Sequence, residues 1–577
     1  MQLNKISVSL IATIGMFFLL ATILATCSLQ DDGSKWVQIN EPGFGNSNNY
    51  SIAAMAEYQG YLYAMTRNEI QGVEMYRYNG SWEQVLFPDN ETNGIYGNPW
   101  INNLWGDMVV FNNHLYCAFT SGVQGYVLKS TGCEIWRFDG STWEPVISDR
   151  KDVDDSGIIT AIAGCDDDDG DTTATISDET KQWDPDIFSG GILQITSGNG
   201  QYRRFAILGN TEDSLTVQQH EVVNDGDNEH TICSSQTFKN PFPPYDYQVG
   251  VIAVGDSYEI GIGHDESGFG DTWNKAIPDM EVFEGRLYAG TGLNLLNGAQ
   301  VWYTDDGDNW QLTFPANSLG LYHNDATYDN GLKPVVGSIP GMAVSAVSGM
   351  PVLYAGAATT GGDLGTCARL AKLTDTGWEL LVDSSIDDNN TGTNENGFGD
   401  GIDCSMFTGN FVPWSLTEFN ERLFVSIQSL AGVRIVYTLT GSSDDGSWFY
   451  SVGGDSDIPN GFDGEHNGGY PSIFQNIASN IFSFKGSLYA GIISTYAPTV
   501  GATQDYLTGS QLWKSNDGIS WQCDTTNGFD DKNIIAFEAF GTYDDTLFVA
   551  GNKGCVDCPY GLDPAEGAKV FKLVETP

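Results

Sequence analysis

The sequence predicts an all-β chain that folds as a seven-bladed β-propeller, and a repeated strand pattern is the main reason. A Leu-Tyr or Leu-Phe pair opens a short apolar segment, after a tight turn, at Leu62, Leu115, Leu287, Leu353, Leu423, Leu488 and Leu547. Most of these segments are followed by a second one with an aromatic centre and then by a third that begins with Trp. Units of four short strands with glycine-rich turns are typical of propeller blades.

The Trp strands also predict how the ring closes. The seventh unit ends near residues 570–573 without a Trp strand, whereas residues 36–39 form such a strand near the start of the chain. We expect residues 36–39 to pair with the C-terminal strand and to complete the last blade, because closure removes free sheet edges. An open repeat array with a separate N-terminal strand is the alternative.

One interval between repeats, from Leu115 to Leu287, is much longer than the others. It predicts a small, acidic, β-rich module at residues 148–262, inserted between blades 2 and 3. The remaining boundaries are a signal segment at 1–26, a linker at 27–34, blades 1–2 at 35–147 and blades 3–7 at 263–577. Tight turns are expected on one face of the ring, and long connections and the insertion on the other, where binding residues concentrate.

The connections that lead into each blade carry their own repeated signature. Gly-Phe-Gly-Asn or a close variant stands before most blades, as at residues 43–46, 268–271 and 397–400. The glycines permit positive φ angles, and Asn or Asp can bond the local backbone. We expect the aromatic ring to wedge between blades, which is a structural role.

The N-terminus has the composition of an export signal. Lys5 precedes an apolar run at residues 6–26, and Leu24-Ala25-Thr26-Cys27 is followed at once by polar residues. This segment resembles the lipobox of secreted prokaryotic lipoproteins, which implies a lipidated Cys27. A simple cleaved signal peptide and a retained transmembrane anchor are the alternatives. All three place the propeller outside the cytoplasm, either lipid-anchored to the membrane or cell surface or secreted.

The formal net charge is −50, from 75 acidic and 25 basic residues. Such a surface repels nucleic acid and anionic membranes. We therefore expect no nucleic-acid partner, and membrane contact only through the N-terminal anchor. Solubility in a saline habitat would also explain the acidic surface.

Two acidic segments of the insertion are candidate calcium sites, because their oxygen-bearing residues alternate as in the first half of an EF-hand loop. The candidate ligands are Asp152, Asp154, Ser156, Asp167, Asp169 and Asp171. The first segment lacks the closing Glu of such a loop, since Ala163 stands at its twelfth position. A solvated acidic run is the alternative, and no other cofactor is expected.

The chain has ten cysteines, and Cys27 is the predicted lipid acceptor. The disulfide candidates are Cys117, Cys133, Cys165, Cys233, Cys555 and Cys558. The first two are predicted in adjacent strands of blade 2, the next two in the insertion, and the last two form a CxxC motif. An export signal favours a disulfide in this motif over a zinc half-site or a redox pair.

Two hairpins that precede Trp strands, residues 303–310 and 514–521, resemble the Asp-box of sialidase-like propellers. The Leu-Tyr-Ala-Gly and Trp-Arg strands resemble the kelch and Asp-box repeats of secreted prokaryotic lipoproteins. The resemblance implies a propeller in which the Asp-boxes are structural turns. It does not imply sialidase activity, because the sequence has no Arg-Ile-Pro motif and several arginines, such as Arg77, fall at repeat-equivalent strand positions that leave no arginine triad.

These observations predict a non-enzymatic, cell-surface or extracellular binding or adhesion protein, and they assign no catalytic residue. Its ligand would be a glycan, an envelope polymer or a protein at the long-loop face, with Trp100 and Tyr470 as candidate contacts. The alternative is a polysaccharide-acting glycoside hydrolase or lyase that uses carboxylates at the axial channel. Two close carboxylates and aromatic platforms at the channel mouth would favour this alternative.

Overall fold

The computed structural model describes residues 34–575 apart from a set of intervals. These intervals are 69–71, 86–104, 122–131, 149–152, 165–172, 190–191, 196, 199–203, 219–235, 239–246, 250, 262–266, 272–273, 295–297, 314–335, 360–367, 383–397, 399–409, 430–431, 445–446, 454–455, 457–461, 463–477, 494–508, 526 and 554–566.

The described chain is built of short strands. Up to residue 147 these are β1 (Ser34–Gln38), β2 (Ser51–Tyr58), β3 (Tyr61–Arg67), β4 (Met75–Tyr78), β5 (Trp82–Val85), β6 (Met108–Phe111), β7 (His114–Phe119), β8 (Glu134–Phe138) and β9 (Trp143–Ile147). The next are β10 (Val153–Ile158), β11 (Ala161–Ala163), β12 (Thr173–Ser177), β13 (Ile192–Ile195), β14 (Arg204–Asn210), β15 (Ser214–Gln218), β16 (Gln236–Phe238), β17 (Tyr247–Val249) and β18 (Ser257–Gly261).

The C-terminal half continues the pattern. Its strands are β19 (Ala276–Phe283), β20 (Arg286–Gly292), β21 (Val301–Thr304), β22 (Trp310–Leu312), β23 (Val336–Ser345), β24 (Val352–Thr359), β25 (Arg369–Thr374), β26 (Gly377–Val382), β27 (Asn410–Phe419), β28 (Arg422–Ser429), β29 (Arg434–Thr438), β30 (Trp448–Val452), β31 (Ala478–Phe484), β32 (Ser487–Ile493), β33 (Leu512–Ser515), β34 (Trp521–Thr525), β35 (Ile534–Tyr543), β36 (Thr546–Lys553) and β37 (Lys569–Glu575). Short 3-10 turns occupy Pro42–Gly45 and Ser267–Gly270.

Most strands belong to four-stranded antiparallel sheets in sequence order. These sheets are β2–β5, β6–β9, β19–β22, β23–β26 and β27–β30. The sets β31–β34 and β35–β37 with β1 have the same order, and one residue pair, Ile493 with Ala536, joins them into an eight-stranded sheet. This all-β arrangement of four-stranded sheets is that of a β-propeller.

The first strand of each set lies innermost. These inner strands are β2, β6, β19, β23, β27, β31 and β35. Each contacts the next along the chain, and β35 contacts β2. The inner strands therefore surround an axial channel.

The N-terminal strand completes the last set. β1 pairs antiparallel with β37, so that Trp36 lies opposite Leu573. The Trp36 indole lies 5.8 Å from the Phe529 ring, and its N–H donates to Asp524 at 3.0 Å. Asn40 accepts a hydrogen bond from the backbone N–H of Val570 at 2.7 Å. The strand pairing predicted from the missing Trp strand is confirmed.

The phenylalanines of the Gly-Phe-Gly connections pack as wedges. Phe269 stacks on Trp302, with ring centroids 4.8 Å apart and planes 6° apart. Phe44 stacks on Tyr76 at 4.0 Å, and Phe462 on Trp513 at 4.7 Å. Phe44 and Phe269 both have a φ of 58°. The left-handed backbone that turns the chain inward is thus stabilised by aromatic stacking, in the structural role that the repeat predicts.

The turn between β33 and β34 is organised by one carboxylate. Asp517 accepts hydrogen bonds from the backbone N–H groups of Ile519 at 2.8 Å and Ser520 at 2.7 Å. The hydroxyls of Ser515 and Ser520 donate to it as well. Partial burial raises the pKa of Asp517, but these hydrogen bonds, led by that of Ser520, outweigh it and lower the pKa to about 2.

Replacing Asp517 with Ala is expected to lower the free energy of unfolding by about 1–2 kcal/mol at neutral pH, because two backbone donors lose their acceptor. Since the folded-state pKa is depressed, this stability is present above the unfolded pKa near 4 and is lost as the pH falls toward about 2. Urea unfolding of both proteins between pH 7 and pH 2 measures it. Asp375→Ala, in a shorter turn, is the control and should change little. An equal loss in both variants would contradict the assignment.

Residues 153–261 form separate sheets. One has the order β10-β18-β13-β14-β15-β12-β11, and β16 pairs with β17. The larger sheet buries its own apolar cluster, which includes Leu193, Phe205 and Tyr258. Asp155 accepts a hydrogen bond from Lys181 at 2.7 Å, and the Trp183 indole donates to the same carboxylate.

The first candidate calcium segment is extended. Val153–Ile158 is a strand, and Ser156 lies opposite Glu259 of β18. Asp152, Asp167, Asp169 and Asp171 lie outside the described residues. Within the described part of the chain, no group of three or more His, Cys, Asp or Glu side chains is placed to hold a metal ion. The calcium site stays a prediction.

The predicted disulfide between Cys117 and Cys133 is wrong, because both are free and buried. Cys117 packs in the cluster with Met108 and Leu115, whereas Cys133 packs with Ile135 and Ile277 on the other side of the sheet. Side chains on opposite faces of a sheet cannot bond. The other disulfide candidates, Cys165, Cys233, Cys555 and Cys558, lie outside the described residues, as does Cys27.

Among the described residues, no helix is long and apolar enough to cross a bilayer.

Candidate functional site

The axial channel contains two connected cavities of about 340 and 390 Å³. Residues that line both include Ala53, Gly106, Trp414, Asn480 and Glu538. The second cavity receives residues from every inner strand. Any molecule held there would contact the whole ring at once.

The direction of the strands tells which end of the channel is which. β2 begins at Ser51, after a long connection, and ends at the tight Gln59-Gly60 turn. Ser51 and Gln428, the latter near the end of β28, line only the first cavity. The first cavity is therefore the mouth on the face with the long connections, which is the face predicted for ligand binding. The second lies deeper.

Carboxyl groups converge in the deeper cavity. Asp107 directly precedes β6, Asp279 and Glu281 belong to β19, and Glu538 belongs to β35. Alternate residues of a strand share a face, so Asp279 and Glu281 both point to the channel. All four are half-buried, and they line the channel wall.

Asp107 and Asp279 form a hydrogen-bonded carboxyl pair. Asp107 also accepts a hydrogen bond from the backbone N–H of Met280 at 2.9 Å, and Asp279 accepts one from that of Met342. Burial raises the pKa of Asp107 to about 6. Burial and the negative charge of Asp107 raise the pKa of Asp279 well above its usual range. At neutral pH the pair therefore shares one proton.

Two further carboxyl groups surround this pair. Burial, together with the charge of Asp107, raises the pKa of Glu281 to about 7. Burial also raises the pKa of Glu538, although the Asn552 amide donates to its carboxylate at 2.7 Å and the charge of Arg67 opposes the shift. In ring order β19 and β35 stand on opposite sides. Asp279 and Glu538 thus face each other across the channel.

Two tryptophans meet at the mouth. The Trp105 and Trp414 rings are edge to face, with centroids 5.8 Å apart and planes at 85°. They come from opposite sides of the ring, before β6 and in β27. Both rings line the mouth cavity beside Asn480 and Gln428. Indole faces and amides are the groups that bind sugar rings and their hydroxyls.

The candidate contacts Trp100 and Tyr470 lie outside the described residues. Sequence reasoning missed Trp105, Trp414 and the four channel carboxyls. The sequence did contain a signal for the carboxyls, because an acidic residue inside an otherwise apolar strand is rare unless it has a function. Asp279 and Glu281, in the segment Ala276–Phe283, fit that description. What the sequence could not show is that residues from distant repeats converge.

No family model matches the chain, and no curated protein matches it. Solved structures do match. Sqt1 of Saccharomyces cerevisiae is 9% identical, with 94% of this chain and 100% of that chain covered and a TM-score of 0.36. The α-L-arabinofuranosidase Arb93A from Fusarium graminearum is 10% identical, with 81% and 94% covered and a TM-score of 0.33. The Trypanosoma rangeli sialidase is 9% identical, with 94% and 59% covered and a TM-score of 0.30. Similarity at this level assigns no activity.

Proposed function

We propose that this chain is a carbohydrate-acting enzyme that hydrolyses a glycosidic bond in its axial channel. The observation that carries the proposal is the hydrogen-bonded Asp107–Asp279 pair beneath the tryptophans of the mouth. A carboxyl group that stays protonated at neutral pH is what general acid catalysis of glycoside cleavage requires.

Asp279 is the proposed general acid. It gives its proton to the oxygen of the leaving sugar as the bond to the anomeric carbon breaks. Asp107 keeps the pKa of Asp279 high and positions it, but the two carboxyls are in contact. Glycosidase carboxyl pairs stand about 5 Å or more apart to admit the substrate. Glu538, across the channel, is therefore the proposed second carboxylate, which directs water to the anomeric carbon.

Trp105 and Trp414 are the proposed sugar platforms. Their edge-to-face contact spans the mouth, so a sugar that reaches the carboxyls must pass between or displace these rings. Asn480 and Gln428 are placed to bond its hydroxyls. The expected substrate is a glycan.

The test is hydrolysis of a panel of plant, algal and bacterial polysaccharides by the purified chain, followed by assay of new reducing ends. We expect release from at least one polysaccharide. Products with unsaturated ends would instead indicate a lyase that uses the same carboxyls. Binding of a polysaccharide without any cleavage would contradict the enzymatic proposal. It would favour the non-enzymatic binding protein predicted from the sequence.

We infer that the ring has seven blades of kelch or Asp-box type and that residues 148–262 are an inserted module. Three features support this inference: β35 contacts β2, β1 completes the set with β35–β37, and Asp517 accepts hydrogen bonds that organise its turn. The separate apolar cluster of residues 153–261 supports the module. Electron microscopy that counted another number of blades would contradict it.

We further propose that Cys27 anchors the chain outside the cytoplasm and that the acidic segments of the module bind calcium. The sequence pattern alone supports both. Mass spectrometry of the mature N-terminus tests the first, since an unmodified Cys27 would contradict lipidation. Calorimetric titration of the whole chain with calcium tests the second, since an absence of heat at millimolar calcium would contradict binding.

A further inference from the structure

Neighbouring sheets of the ring are joined by a repeated contact on the tight-turn face. The turn between the third and fourth strands of one sheet packs against the outer end of an aromatic side chain in the second strand of the preceding sheet. The pairs are Gly307 with Tyr116, Gly441 with Tyr354 and Gly518 with Phe424. A Cβ added to one of these glycines would collide with the tyrosine hydroxyl or with the tip of the phenylalanine ring. Turn backbone packed against the outer end of an aromatic side chain thus fills each of these three junctions.

An arginine completes the receiving surface at two of these junctions. Arg422 donates to the backbone carbonyl of Asp517 at 3.2 Å, and its guanidinium lies 5.1 Å from the centroid of Tyr437. Arg137 forms an ion pair with Asp308 at 2.8 Å. Each turn is therefore held in two ways. Its glycine packs against the aromatic side chain, and its carbonyl or carboxylate oxygens bind the arginine of the preceding sheet.

The junction between the β19–β22 and β23–β26 sheets has the same receiving surface. Arg286 lies 4.9 Å from the centroid of Tyr303. Tyr288 and Tyr303 are 5.8 Å apart and tilted by 32°, whereas Phe424 and Tyr437 are 5.3 Å apart and also tilted by 32°. Arg286, Tyr288 and Tyr303 thus reproduce the arrangement of Arg422, Phe424 and Tyr437.

The turn that would cover this surface is too short. Only Asp375 and Thr376 separate β25 from β26. In the longer turns, the hydroxyls of Thr304 and Ser515 accept a hydrogen bond from the turn glycine at 2.8 Å. The hydroxyl of Thr374 instead donates to the carbonyl of Gly377 at 2.6 Å and closes the turn early.

A cleft of about 940 Å³ remains at this junction. Its wall includes Phe283, Arg286, Tyr288, Tyr303 and Lys372. A short turn alone does not open such a cleft. At the junction between the last and first sheets the turn is also short, but Tyr78 packs on Phe548 at 5.9 Å and fills the space.

We propose that this cleft binds an Asp-Gly turn of a partner protein. The glycine backbone of that turn packs against the outer end of Tyr288, as Gly307 packs against that of Tyr116. Its acidic and carbonyl oxygens meet Arg286, whose side chain is 43% exposed beside Asp305, and Lys372. The filled junction of Arg137 supports this occupant. Arg286 already pairs with Asp305 and Lys372 with Glu379. Arg137 likewise pairs with Glu144 of its own sheet and still accepts Asp308 of the neighbouring turn as a second partner. The site is independent of the axial channel.

The probe is a cyclic hairpin peptide with the sequence of residues 514–521, titrated calorimetrically into the whole chain. We expect saturable binding with a dissociation constant of about 1 mM or lower. The same peptide with Gly518→Ala should bind at least about tenfold more weakly, because a Cβ would collide with the outer end of Tyr288. Arg286→Ala in the protein should weaken binding similarly. Arg422→Ala, at a filled junction, is the matched control and should not.

A variant with a longer turn tests whether the short turn leaves the cleft open. Replacing Asp375-Thr376 with the sequence of residues 516–520 should fill the cleft in cis, abolish peptide binding and leave the protein folded with an equal or higher melting temperature. Peptide binding that persists in the grafted, folded variant would overturn the proposal, as would no binding to the native chain. An oligosaccharide that binds the native chain and not the graft, while the peptide does not bind, would also overturn it.

Discussion

A chain that lacks residues 34–40 is expected to unfold at a much lower temperature than the complete chain, with a loss of at least about 5 kcal/mol. β1 is the last strand of the set that contains the C-terminal strand. Its removal exposes the edge of β37 and the apolar surface that Trp36 covers on Phe529. It also removes the two hydrogen bonds between Asn40 and residues 568 and 570. Differential scanning calorimetry measures the effect.

Single substitutions within this strand separate its components. Trp36→Ala should cost about 3–4 kcal/mol, since a large aromatic contact and the bond to Asp524 are lost. Val37→Ala is the matched control, because Val37 is 39% exposed and alternates with Trp36 along the strand. It should change the free energy of unfolding by less than about 1 kcal/mol.

Complementation in trans gives an independent check. A synthetic peptide of residues 34–41 should raise the melting temperature of the truncated chain in a concentration-dependent way, because it supplies the missing strand. The Trp36→Ala peptide should not. If the truncated chain melts like the complete one, β1 does not contribute to closure in solution.

The strand pairing could be predicted because it rests on a repeat. Each unit supplies one Trp strand, so a missing copy at one end and a spare copy at the other identify a pair. The phenylalanine wedges were accessible for the same reason. Phe44, Phe269 and Phe529 recur in one context, and a device needed before each blade is structural.

The channel carboxyls could not be predicted in this way, because they do not recur in every unit. Asp107 and Asp279 stand at equivalent positions, each directly before a Met of β6 or β19. Glu538 instead lies at a register shift of β35. Their convergence depends on the register of strands that are hundreds of residues apart. The cysteine error has a local cause. Adjacent strands place Cys117 and Cys133 near each other, but strand alternation sends their side chains to opposite faces.

Asp279→Asn is expected to slow hydrolysis strongly and to stabilise the protein at the same time. The amide keeps the geometry, because its oxygen can accept the bond from the Met342 N–H and its NH₂ can donate to Asp107, as the protonated acid does. It has no proton to give to a leaving sugar. We expect the catalytic rate to fall by about 10²–10⁴-fold, the usual contribution of a general acid.

The stability effect has a definite sign with pH. The folded-state pKa of Asp279 is raised well above that of the unfolded chain. Its contribution to stability is therefore fully present below about pH 4 and is lost as the pH rises through the folded-state pKa. The amide introduced by Asp279→Asn does not ionise, so the variant should escape this loss. Channel water screens part of the effect, and we expect a gain of about 1–3 kcal/mol at pH 8 and little difference at pH 4.

Urea unfolding at pH 4 and pH 8, beside the polysaccharide assay, tests both halves of this prediction. Asp279→Ala is the control, since it removes the charge and also leaves the Met342 N–H without an acceptor. It should lose activity without the same gain in stability. Gain of stability with full activity in Asp279→Asn would mean that the buried pair is real but that another group supplies the proton. A loss of stability at pH 8 would mean that Asp279 is ionised and bound to a cation in the working protein. Two carboxylates that bind a positive ion lose binding energy when one of them is replaced by a neutral amide, so the substitution would then destabilise the protein.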